Sequence, residues 1–172
     1  MKDLAIKLLT PIRRALGVFG GISALALAVA FIAQFNGLAP CVLCIYQRWP
    51  YAAVILLSAL GIFGHKKYPK VPVIALTLTP FIFLLNAGFA FYHTGVERHW
   101  WKSFLEGCSI PDMKGNITDV LAQIQAAPVV RCDEIPWTDP VLGLSMANYN
   151  VLLCLVLAIA ALWALAKNKG LK

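Results

Sequence analysis

The stretch GVFGGISALALAVAFIAQF, residues 17–35, carries no charge and runs into NGLAPCVLCIYQR, residues 36–48. A helix needs about 20 apolar residues to cross a hydrocarbon core, so residues 17–35 are long enough to span one. A cleaved signal peptide is also basic and then apolar. Against it, the run is long for a signal h-region, and Pro40 directly before Cys41 suits a lipoprotein cleavage site poorly. Proline disfavours helix around the residue before it, so Cys41-x-x-Cys44 reads as a loop entering a helix N-terminus. Once that helix has begun, Cys44 and Arg48 share a face one turn apart. A dithiol at a helix start, near a fixed positive charge, favours a reactive thiolate.

Outward from this stretch the pattern repeats. A second apolar run goes from about Ile45 to Gly64, broken by Arg48, with Pro50 in its first turns. A third covers Val71 to His93 and holds Pro80 at mid-span, where a kink is expected. A fourth covers Tyr149 to Ala166. The 172 residues are 60% hydrophobic and 13% charged, with a mean hydropathy of +0.74. Soluble domains carry roughly 25% charged residues; here too few polar groups exist to coat a water-facing surface. The expectation is an all-α membrane protein, a four-transmembrane-helix bundle formed by a single integral domain over residues 1–172. Its spans fall at about 17–35, 45–64, 71–93 and 149–166. No basic tract interleaved with aromatics points to nucleic acid.

Charge placement gives the orientation. Lys2, Lys7, Arg13 and Arg14 precede the first span, Lys66, Lys67 and Lys70 follow the second, and Lys167, Lys169 and Lys172 follow the fourth. Only Asp3 opposes them. The positive-inside rule places both termini and the 65–70 loop in the cytoplasm. Loops of about 36–44 and 94–148 are then on the outer face, with Cys41, Cys44, Cys108 and Cys132 together on that side. The topology is read from lysine and arginine alone, so this grouping is an independent result.

In the long outer loop, helical spacing would put Trp100, Trp101, Phe104, Leu105 and Cys108 on one face, and the tryptophans suit a membrane interface. Asn116 with Asp119 forms a capping pair, and Ile117, Val120, Leu121 and Ile124 recur at helical spacing. The expectation there is a short amphipathic helix lying on the bilayer.

CxxC spacing serves zinc sites, haem attachment and redox dithiols alike. Haem attachment needs a histidine after the second cysteine, where Ile45 stands. Zinc normally takes two close pairs, and Cys108 and Cys132 are far apart in sequence; no metal is expected. Two structural disulfides stapling the outer loops, or a metal-binding membrane sensor, are the competing readings. A redox relay accounts for more. Disulfide exchange moves oxidising equivalents between pairs through mixed disulfides. A soluble dithiol would feed the loop pair, that pair would feed Cys41 and Cys44, and the membrane would supply a lipid-soluble acceptor. Arg48 is costly to bury without a role, although an arginine at a span's end also snorkels. Cys154, amid Leu152, Leu153 and Leu155, is expected to be inert.

Pro40-Cys41-Val42-Leu43-Cys44, then Tyr46 and Arg48, with a second cysteine pair in the long outer loop, resembles the DsbB family of bacterial thiol:quinone oxidoreductases over nearly the whole chain. The resemblance implies an inner-membrane enzyme that reoxidises the periplasmic dithiol oxidase DsbA and passes electrons to ubiquinone or menaquinone. By position, it implies redox-active disulfides Cys41–Cys44 and Cys108–Cys132. Cys108 would take the mixed disulfide with DsbA, and Cys132 would exchange with Cys41. Cys44 would face the quinone, Arg48 would stabilise both, and His93 would lie near the quinone. Gln47 stands where an acidic residue also occurs in the family, and Glu97–Trp101 suggests a distinct branch. The vitamin K epoxide reductase type also couples a membrane CxxC to a quinone, but late in the bundle rather than after the first span.

Overall fold

The computed structural model describes residues 11–105, 108, 116, 121 and 130–169. Four helices among them are long and apolar enough to cross a membrane. They are α1 (Ile12–Phe35), α2 (Val42–Phe63), α3 (Val71–Glu97) and α4 (Met146–Lys169). A 3-10 turn at Gly64–Lys66 follows α2. Among the described residues the only β-pairing is an isolated antiparallel bridge, Thr138 with Ser145.

The helices extend past the apolar runs because local chemistry, not hydropathy, ends them. α1 closes in a Schellman motif: Gly37 N–H bonds Gln34 O and Leu38 N–H bonds Ala33 O, with Gly37 at φ 93°. α2 starts at Val42, earlier than expected, because Cys41 is its N-cap. Pro50 therefore lies roughly two turns inside the helix. α3 runs through Pro80 as one element and carries on past His93 to Glu97. α4 starts at Met146 because Ser145 and Asn148 cap it reciprocally. Ser145 N–H donates to Asn148 Oδ1 at 3.1 Å, and Asn148 N–H to Ser145 Oγ at 3.3 Å.

The bundle core joins all four helices. Phe83 of α3 meets Phe19 of α1 and Tyr51 of α2 edge-on, at 6.1 and 6.4 Å. α4 offers a face of small residues, with Cys154, Leu157, Ala158, Ala161 and Ala164 all buried. Small residues permit close helix approach where lipid gives no hydrophobic drive. Gly61 of α2 does the same for α1, since a Cβ there would collide with Leu16. Outward-facing apolar side chains such as Leu25, Leu56, Phe81 and Val156 are exposed, as a lipid-facing surface requires.

Past α3 the structure departs from expectation. Residues 98–105 are not helical, so the aromatic residues there do not share a helix face. A second Schellman motif ends α3, with Trp100 N–H on Gly95 O and His99 N–H on Val96 O, and His99 takes the left-handed conformation at φ 58°. The chain turns back on itself. Trp101 stacks on Tyr92 at 6.0 Å, its indole N–H donates to the Tyr92 carbonyl, and Phe104 N–H bonds the Tyr92 hydroxyl. Those bonds replace what a continued helix would have made. The amphipathic helix expected after Asn116 lies outside the described residues, Leu121 apart.

Candidate active site: two cysteine pairs at one end of the bundle

Cys41 has extended backbone (φ −74°, ψ 171°) and caps α2 with its own sulfur, which accepts from Cys44 N–H at 3.3 Å. The same turn brings Cys44 Sγ to 2.8 Å from Cys41 Sγ. Cys41 is buried and Cys44 half-buried. The Cys44 sulfur beside it, then burial, pushes the Cys41 thiol well up.

The second pair is a disulfide, Cys108–Cys132. Cys132 N–H also bonds Cys108 O at 3.0 Å. Both cysteines are fully buried and share a cluster with Cys41, Leu43 and Val96, lined by Cys44, Tyr92, Leu105 and Val130. All four loop cysteines thus converge in one apolar pocket.

His93 enters from α3. Its Nε2 lies 3.5 Å from Cys41 Sγ, and Gln47 bonds its Nδ1 at 2.8 Å. Cys41 Sγ, Cys44 Sγ and His93 Nε2 all lie within 4.8 Å of one another. Glu97 Oε1 lies 3.7 Å from His93 Nε2, and Glu97 Oε2 accepts from Ser145 Oγ at 2.5 Å. Asn150 of α4 donates to Gln47 Oε1 at 2.6 Å.

Arg48 looks the other way. Its Nη1 donates to Gln34 Oε1 at 2.7 Å and its Nη2 reaches Ala30 O at 3.5 Å, both on α1, while the guanidinium sits 4.8 Å over the Phe31 ring. It lines an open groove of about 380 Å³ between α1 and α2, with Leu27, Phe31, Gln34, Ile45, Trp49 and Pro40. A quinone, an apolar ring with two carbonyl acceptors and a lipid tail, suits apolar walls with one guanidinium donor. The structure brings Cys41, Cys44, His93, Cys108 and Cys132 together and turns the guanidinium of Arg48, one helical turn past Cys44, toward α1. His93 sides with Cys41, not with the groove.

Sequence reasoning left out Ser145, Asn150 and Tyr51, and noted Gln47 and Glu97 only as departures. Polar residues in or beside apolar runs are the signal that marks Tyr51 and Asn150.

This is the architecture of a multi-pass membrane protein built for thiol–disulfide chemistry. Residues 12–164 match the family model described as Disulfide bond formation protein DsbB, and the chain belongs to that family. It is 32% identical over 146 residues to an uncharacterized protein of Rickettsia prowazekii, covering 80% of this chain and 78% of the relative. Two relatives bear the name Disulfide bond formation protein B. That of Herminiimonas arsenicoxydans is 25% identical over 151 residues, covering 86% of this chain and 91% of the relative. That of Xanthomonas campestris pv. campestris is 29% identical over 157 residues, covering 84% of each. No solved structure gives a significant match.

Proposed function

We propose that the chain is a thiol:quinone oxidoreductase of the bacterial inner membrane that reoxidises a periplasmic DsbA-type thiol oxidase. Both termini would be cytoplasmic and the cysteine end periplasmic, following the lysine and arginine distribution. One observation carries the reading. Two cysteine pairs share a buried cluster at one end of the bundle, while Arg48, one turn past Cys44, lines a groove between helices that face lipid.

In this reading Cys108 accepts the mixed disulfide from the soluble partner, and Cys132 exchanges with Cys41 inside the cluster. Cys44 and Arg48 face the acceptor. A quinone, ubiquinone or menaquinone, supplies a two-electron, two-proton sink when bound. The chain's own residues do the rest: two thiols lose two electrons and two protons as the Cys41–Cys44 bond forms. Arg48 offers donors at the groove, held in place by Gln34. The direction is sound, since a DsbA-type dithiol at about −120 mV can be reoxidised by a respiratory quinone but not by a thioredoxin-like couple at about −270 mV.

Purified protein should reduce a short-chain quinone when supplied with a reduced DsbA-type protein, and Cys44→Ser should abolish that. Full quinone reduction in Cys44→Ser would refute the assignment. The competing structural reading expects no cycling of Cys41 and Cys44 in thiol trapping as quinone supply changes.

A further inference from the structure

A buried line of polar groups runs across three helices to Cys41. It starts on α2 and α4, where Tyr51 O–H donates to Asn150 Oδ1 at 2.5 Å and Cys154 S–H donates to the same oxygen at 3.4 Å. Two donors on the carbonyl turn the Asn150 amide nitrogen toward Gln47, whose Oε1 accepts it at 2.6 Å. The Gln47 nitrogen is thereby turned toward His93 Nδ1, at 2.8 Å. A ring nitrogen that accepts a hydrogen bond carries no hydrogen, so the hydrogen of a neutral His93 sits on Nε2. Nε2 faces Cys41 Sγ at 3.5 Å and Glu97 Oε1 at 3.7 Å. Tyr51, Gln47, His93 and Cys154 are all buried, where hydrogen bonds polarise one another and are poorly replaced by water.

We propose that Asn150 and Gln47 are positioning residues that hold the hydrogen of His93 on Nε2, so that His93 donates to the Cys41 sulfur as it leaves a disulfide. The step is an exchange with no net redox change. The Cys108 thiolate attacks Cys132 in a Cys132–Cys41 disulfide; the Cys108–Cys132 bond forms, the Cys132–Cys41 bond breaks, and the electron pair stays on Cys41. The His93 N–H meets that pair. The opposite tautomer would present a nitrogen lone pair to a departing thiolate. Burial beside a second sulfur makes Cys41 a reluctant thiolate, so a fixed donor there matters. The inference rests on the thiol–disulfide relay, not on the quinone.

The test uses full-length, quinone-free protein in detergent, labelled with ¹⁵N-histidine and reduced at Cys41 and Cys44. His93→Gln assigns its signal among the three histidines. The unsubstituted protein should show His93 with a protonated Nε2 and a bare Nδ1. Asn150→Asp only accepts, so it should turn the Gln47 amide over and move the hydrogen to Nδ1; Asn150→Leu should give a mixture. In a Cys44→Ser background, release of Cys41 from a glutathione mixed disulfide by an added small thiol, which takes the glutathione sulfur, should slow about tenfold in Asn150→Asp, one charge-assisted hydrogen bond's worth. If Asn150→Asp does not fold, Tyr51→Phe keeps the ring against Phe83, removes one donor from Oδ1 and should raise the Nδ1–H form. A hydrogen on Nδ1 in the unsubstituted protein overturns the proposal. So does a tautomer that no variant moves, or an unchanged release rate once the tautomer has moved. Protein that reduces no quinone yet shows this tautomer keeps the inference and loses the earlier reading.

Discussion

Arg48 of α2 is tied to Gln34 of α1, Nη1 to Oε1, at 2.7 Å. An arginine that merely snorkelled would leave its guanidinium in water; this one is fixed against the neighbouring helix and the Phe31 ring. Arg48→Met should raise the apparent quinone KM about ten- to a hundredfold, the loss expected for one charge-assisted hydrogen bond. Folding should change little, because the methionine keeps the apolar stem in the groove. Gln34→Leu should raise KM in the same direction by less. Steady-state quinone titration beside a thermal melt checks both, and an unchanged KM in Arg48→Met refutes the role.

The two cysteine pairs should separate into two half-reactions. Cys108→Ser or Cys132→Ser should abolish oxidation of a reduced DsbA-type protein yet leave quinone reduction by a small dithiol. Cys44→Ser should lose both. Equal loss in all three variants would mean that the pairs do not work in series.

His99 occupies the left-handed position that ends α3, where glycine is the usual residue. The conformation costs a side chain about 1–2 kcal/mol, partly offset by the extra chain entropy that glycine loses on folding. His99→Gly should therefore stabilise the fold by roughly 0.5–1 kcal/mol. Gly95→Ala should do the opposite. A Cβ there collides with the Trp101 ring, so Trp101 must leave its stack on Tyr92, at about 1–3 kcal/mol for overpacking. Tryptophan fluorescence and thermal melts distinguish the two variants.

Next to Cys132, Arg131 grips Asp133 through two bonds, Nε to Oδ1 at 2.9 Å and Nη2 to Oδ2 at 2.6 Å. The guanidinium holds the Asp133 carboxyl below the usual carboxylate range. The native state thus binds this proton less readily than the unfolded chain does. Its contribution is complete above the ordinary aspartate pKa and is lost as pH falls through the lower native value. For a solvent-screened pair that contribution is small. Asp133→Asn should cost that small amount at neutral pH and nothing in strong acid. A stability difference that does not shrink on acidification would argue against the pair.

The four helices were legible because lipid imposes one rule, long uncharged runs, that hydropathy reads directly. The dithiol at a helix start was legible because proline and CxxC are local signals. The helix ends were less so. α4 begins at a Ser145–Asn148 cap that the apolar run does not include, and α3 ends at a left-handed histidine where glycine is the usual residue. His99 is why Trp100 and Trp101 do not continue the helix. The Tyr51–Asn150–Gln47–His93 line was invisible, because it joins residues far apart in sequence. Spacing places Cys44 and Arg48 on one face, yet only the packed bundle sends Arg48 to α1 and His93 to Cys41.

The Cys108–Cys132 bond closes a loop with a sequence separation of 24 residues, and both of its sulfurs sit in the buried cluster that holds Cys41. In the proposed cycle it is also the bond given away. Every oxidising equivalent exported opens that closed loop, and the chain between the two cysteines regains the entropy that closure had removed. Recharging the outer pair and closing its loop are then a single event.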